Sequence, residues 1–195
     1  MKACLLSCLL LLIAPSVFAQ ECAQVLGPSR FEWAGKIEDA KLSFASGSSS
    51  ERVRVIKCLV EVPGEQAKEL LTQALESDEV ELRRAAVESI GIMRLRSFED
   101  QLLRTLEDRK ADLREAAALA LAQLGSKRAV DKLVGMLSDG SGDVRLAAVR
   151  ALGALREPSS IPAIAGVLGD DSKDVVEAAL EELSSDADPT TVYAI

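Results

Sequence analysis

The chain has 195 residues, carries a formal charge of −8 and contains four cysteines, few aromatic residues and no histidine. That acidity disfavours a nucleic-acid backbone or an anionic membrane as the main ligand. The missing histidine, with no phosphate-binding glycine loop, nucleophile motif or cluster of soft metal ligands, leads to the expectation of a non-enzyme with no cofactor and no metal site.

In chain order, residues 1–19 read as a secretory signal. Lys2 precedes the apolar run Ala3 to Ile13, then a Pro15-Ser16 break and the small-residue end Val17-Phe18-Ala19. The run is shorter than the roughly 20 residues a membrane-spanning helix needs. The expected location is therefore a periplasm or the cell exterior, with no membrane insertion after cleavage. Cys4 and Cys8 leave with the signal, whereas Cys22 and Cys58 remain. A Cys22–Cys58 disulfide is the natural pairing in an oxidising compartment and contributes about 2–4 kcal/mol if unstrained. Two separate thiols are the alternative, with no histidine to activate either.

Residues 20–49 form an expected N-terminal capping segment in which Phe31, Trp33, Ile37, Leu42 and Phe44 lie as a lid over an apolar end, and Ser46 to Ser50 form a linker turn. Trp33 as a ligand-stacking residue is the competing reading. A loose helix pair starts near Ser50, with Val53, Arg54, Ile56 and Val60, then Ala67, Leu70, Leu71, Ala74 and Leu75; its spacing to the next unit looks nearer 29 or 30 residues.

From there the period is 31. Glu81-Leu82-Arg83, Asp112-Leu113-Arg114, Asp143-Val144-Arg145 and Asp174-Val175-Val176 each lead into a pair of alanines. A period of this length means stacked helix pairs. One column reads Leu82, Leu113, Val144, Val175 and another Ile90, Leu121, Leu152, Leu183, so one helix face carries a large, small, small, large series. The partner helix of each unit is marked by Leu102, Leu106 and Asp108, by Leu133, Leu137 and Asp139, then by Ile164, Leu168 and Asp170. Gly125-Ser126, Glu157-Pro158 and Asp139-Gly140-Ser141-Gly142 supply the turns, and Asp78 with Glu81 and Ser97 with Asp100 look like capping pairs. Repeats run over 50–185, and 186–195 is a tail.

The unit Asp143-Val144-Arg145-Leu146-Ala147-Ala148-Val149-Arg150-Ala151-Leu152-Gly153, following an aliphatic helix that ends in Asp, resembles HEAT-like repeats, and most nearly the phycobilisome-lyase type. The resemblance implies an all-α, right-handed α-solenoid of about four and a half HEAT-like helix pairs. It also implies that the Val-Arg helices at 79–94, 111–124, 142–155 and 173–184 line the concave face.

Arg83, Arg114 and Arg145 are read as inter-repeat ion-pair partners of Asp108, Asp139 and Asp170 rather than as an anion site. On an ideal helical wheel the side opposite the buried edge carries Arg84, Val87 and Glu88, then Glu115, Ala118 and Leu119, then Leu146, Val149 and Arg150, then Glu177, Leu180 and Glu181. That apolar strip rimmed by charge is the expected partner-binding surface; packing between repeats is the alternative. On the first reading, Leu146→Glu with Val149→Glu abolishes partner capture and leaves the melting temperature nearly unchanged. The expected function is an exported scaffold for a protein partner, with no nucleic-acid ligand. The alternatives are a lyase-like accessory factor holding a cofactor-bearing protein, and self-association.

Overall fold

A computed structural model of the protein describes residues 33–62 and 64–185, as helices joined by short turns. The expected leader, Cys22, Phe31 and the tail at 186–195 lie outside the described residues. Helix α1 (Trp33–Ser46) is followed by α2 (Ser49–Cys58), α3 (Gly64–Leu75) and α4 (Val80–Ile92). Three further pairs follow: α5 (Glu99–Thr105) with α6 (Ala111–Leu124), α7 (Val130–Met136) with α8 (Gly142–Leu155), and α9 (Ile161–Gly166) with α10 (Lys173–Ser185). The chain is an all-α solenoid of helix pairs, and its second helices fall where the repeat places them.

In the last three pairs the two helices are unequal. α5, α7 and α9 have only 7, 7 and 6 residues, each entered through a 3₁₀ turn, whereas α6 and α8 have 14 each. The row α2, α4, α6, α8, α10 stacks helix upon helix, and each short helix flanks its own partner. Close stacking needs small side chains on the shared faces, and the pairs Ala85-Ala86, Ala116-Ala117, Ala147-Ala148 and Ala178-Ala179 are all buried. Leu82, Leu113, Val144 and Val175 are fully buried, as are Ile90, Leu121 and Leu152; each such side chain contributes about 1.5–3 kcal/mol. Buried hydroxyls are satisfied: Ser89 donates to the Ile56 carbonyl at 3.2 Å, and Ser160 to the Glu157 carbonyl at 2.7 Å.

The looser spacing expected for the first unit is corrected. Ala67 and Leu71 stand 31 residues before Phe98 and Leu102, and Ile56 and Leu59 stand 31 before Val87 and Ile90; all eight are buried. Stacking holds the register, because a slipped helix would turn its small face away from its neighbour. The misleading residue is Arg54, which is exposed, while Arg52 makes the inter-repeat pair with Glu79.

At the front, α1 packs on α2 and α3 through Ile37, Ala40 and Phe44, which share one helical face and are buried. Leu42 does not join them. It lies on the other side of the helix at 67% exposure. Ser48 opens α2, its N–H and hydroxyl donating to the Glu51 carboxylate at 2.7 and 2.8 Å. The other two capping pairs do not form. α4 is entered at Glu79 with no side-chain cap, and Ser97 falls inside the 3₁₀ turn Arg96–Phe98.

Candidate functional site

Arginines tie the second helices into a ladder. Arg114 donates from Nη1 to the Asp108 carbonyl at 2.9 Å, and from Nε and Nη2 to the Asp139 carboxylate at 2.8 and 2.7 Å. One unit on, Arg145 repeats the arrangement with the Asp139 carbonyl and the Asp170 carboxylate, and adds Asp171 at 2.5 Å. Asp139 and Asp170 also accept the N–H of Ser141 at 2.9 Å and of Ser172 at 2.8 Å. These bidentate, charge-assisted bonds span 25 residues of chain and fix how one repeat sits on the next.

The Arg145 guanidinium, helped by the Ser172 N–H, lowers the Asp170 carboxyl to about 2. Arg114 holds Asp139 below its ordinary value in the same way. A depressed acid stabilises the fold in full above its unfolded value near 4 and loses that contribution as pH falls through its folded value. Thermal melts between pH 5 and 2 should therefore show a loss of stability that Asp170→Asn makes shallower. An identical acid profile in the variant would remove Asp170 from the account.

Arg83 breaks the pattern. Its Nη1 donates to the Ser77 carbonyl at 2.8 Å, as the repeat requires, but the expected pair with Asp108 is not made. Asp108 accepts the Lys110 N–H at 2.8 Å.

The row of second helices leaves one long face uncovered. Its first column is Glu81, Asp112, Asp143 and Asp174, all exposed and all acidic. Next come Arg84, Glu115 and Leu146, each half-buried, with Glu177 exposed; then half-buried Glu88 and Leu119 with exposed Arg150 and Glu181. Ile92, exposed at 56%, Gln123 and Ala154 complete it. Eight of the candidate residues from the sequence thus share one face, and it is more acidic than the wheel implied.

The central column of that wheel is corrected. Val87, Ala118 and Val149 are 0% exposed. The helical wheel treated each helix as flanked on one side, whereas in the stack the following second helix covers another: α6 packs on α4, α8 on α6 and α10 on α8. Leu180, in the same column, is 53% exposed because no described helix follows α10. The sequence signal that could have centred the face correctly is the acidic column, which marks both a helix start and the side turned to solvent.

Between α4 and α6 the face dips into a cleft of about 240 Å³ lined by Arg84, Glu88, Ile92, Glu115, Leu119 and Gln123, among others. Arg84 Nε donates to Glu88 at 2.9 Å. Burial pulls the Arg84 guanidinium down, but Glu88, Glu115 and Asp112 outweigh it and leave it raised. Burial pushes the Glu115 carboxyl up; Arg84 opposes that, and Asp143, Asp112 and Glu88 reinforce it. The cleft therefore holds a surplus of negative charge beside an exposed aliphatic side chain. A larger cavity, about 340 Å³, lies on another side of the molecule between α3 and α5.

The HEAT-repeat family profile matches residues 99–184, from the first residue of α5 to the last turn of α10. Among solved structures, the chain is similar to the complex of CpcE and CpcF of phycocyanin lyase from Nostoc sp. PCC7120, with a TM-score of 0.58 and 20% identity over 88% of this chain and 72% of that one. It is similar to an engineered protein at 0.54 and 19%, over 90% and 94% of the two chains. It is also similar to a designed armadillo repeat protein in complex with the peptide (KR)4, at 0.52 and 19%, over 86% and 100%. No curated protein matched the sequence. These likenesses establish the helical-repeat fold and carry no residue-level role.

Proposed function

We propose that the protein is a non-catalytic, exported scaffold that binds a protein partner along the open, concave face of its second helices, through a segment rich in lysine and arginine. The observation that carries this reading is the uncovered face itself: a regular acidic column, one residue per helix, beside a cleft with an exposed isoleucine. Adjacent stacked helices lie about 8–10 Å apart. Three residues of extended chain cover a similar distance, so a cation at every third position of a bound strand meets one helix after another. The leader-like N-terminus supports export, and burial of Cys58 at the end of α2 is compatible with the Cys22–Cys58 bond.

The test immobilises the chain from Gln20 and compares capture with two variants, Ile92→Lys with Asp143→Lys on the face, and Lys132→Glu away from it. A partner held by wild type and by Lys132→Glu, released by raised salt and lost by the double variant, is the expected result. Equal retention by both variants would sink the reading. A second reading, an accessory factor for a cofactor-bearing protein, draws on the likeness to the phycocyanin lyase complex; a chromophore bound to the purified protein would favour it, and a colourless protein would count against it.

A further inference from the structure

Three gaps separate the first helices α3, α5, α7 and α9 from one another along the solenoid, and the repeat allows them to be compared position by position. In the gap between α5 and α7 the register places Leu103 opposite Met136, both buried; in the gap between α7 and α9 it places Val134 opposite Val167, both half-buried. The same positions in the gap between α3 and α5 are Thr72 and Thr105. Residue 104 is an arginine where the following units have Gly135 and Gly166. The ladder is also open here and nowhere further along, since Arg83 leaves Nε and Nη2 without the carboxylate that Arg114 and Arg145 clasp. These departures converge on one place. Thr72, Thr105, Arg83, Arg104, Gln101 and Asp108 all line the 340 Å³ cavity.

Apolar side chains occupy these positions in the other gaps, so replacing them with hydroxyls costs packing, and breaks in an otherwise consistent repeat concentrate at sites with another task. The lining states what would fit. Two guanidinium groups, one of them presenting the edge that binds carboxylate elsewhere in this chain, call for a carboxylate. Glu76 and Asp108, with Thr72 and Thr105, supply acceptors for an ammonium group. Both threonine hydroxyls donate to carbonyls four residues back, at 2.9 Å each, and so face the cavity as acceptors. Half-buried Leu75 adds apolar surface to the wall, and fully buried Val87 and Leu113 lie beneath it. The volume lies at the low end of small-ligand pockets.

We propose that the cavity between α3 and α5 binds a free α-amino acid, its carboxylate on Arg83 and Arg104 and its ammonium group on Glu76 and Asp108. The test uses the full chain and the twenty amino acids as probes, read by thermal shift and then by calorimetry, with acetate and methylamine as half-molecules. The decisive variant is Thr72→Leu with Thr105→Met, which gives this gap the residues of the next one and should fold at least as well. The expected result is saturable binding of one or a few amino acids, at least about tenfold tighter than either half-molecule, lost in that variant and in Arg83→Met. No binding by any amino acid would overturn the proposal. So would acetate binding as tightly as the best amino acid, or undiminished binding by the threonine double variant.

Discussion

Val149→Glu is expected to unfold most of the protein or to lower its stability by about 4 kcal/mol or more. The side chain is 0% exposed, and a carboxylate there has no partner and no water. Domains of this size hold only about 5–15 kcal/mol in total. Arg150→Glu, one residue along and exposed, should stay within about 0.5 kcal/mol of wild type. Thermal melts of the two variants decide the matter. Similar melting temperatures would mean that position 149 is open and that the straight-wheel reading of the face was right. This outcome also replaces the expectation that Leu146→Glu with Val149→Glu leaves the fold intact, because half of that pair lies in the stacking interface.

Gly91→Leu should cost about 3 kcal/mol. A Cβ built at Gly91 falls 2.8 Å from the Ala120 Cα and 2.9 Å from its Cβ, so α4 and α6 touch backbone to backbone at this point. Any side chain there must part the two helices, and overpacking of this kind costs about 1–3 kcal/mol. Replacing a helical glycine otherwise gains up to about 1 kcal/mol, too little to offset the wedge. Gly135 provides the control: nothing lies within 4 Å of its Cβ position, and it sits in α7, so Gly135→Ala should stabilise by a few tenths to about 1 kcal/mol. Denaturant melts that give both substitutions the same sign would contradict the close approach of α4 and α6.

The fold was largely legible because a repeat states its own alignment. Leu82, Leu113, Val144 and Val175 occupy one column in the sequence and one buried column in the stack. The face was only half legible. A helical wheel locates the buried edge from Leu82 and Ala86, but the side covered by the next repeat depends on how far each helix is rotated against its neighbour, which the apolar residues do not record and the acidic column at Glu81, Asp112, Asp143 and Asp174 does. Val87 and Val149 look the same as surface valines until the next helices of the stack, α6 and α10, are placed beside α4 and α8. The Arg83 rung was not legible either: the residue types needed for the pair are present at the correct spacing, yet Arg83 bonds the Ser77 carbonyl and leaves Asp108 to the Lys110 N–H. The difference of this unit had a trace in the sequence, in Thr72 and Thr105 aligned with Leu103 and Met136.

The inequality of the paired helices sets the mechanics of the molecule. With α5, α7 and α9 reduced to two turns or less, most of the cohesion runs through a single file of long helices, each gripping chiefly the one before and the one after. A structure joined link by link flexes as a spring does, by adding small rotations at successive joints, and disturbance at one joint fades over its neighbours. A strand laid across several joints would stiffen them together, so the partner's length, as well as its charge, would set how much motion is lost on binding.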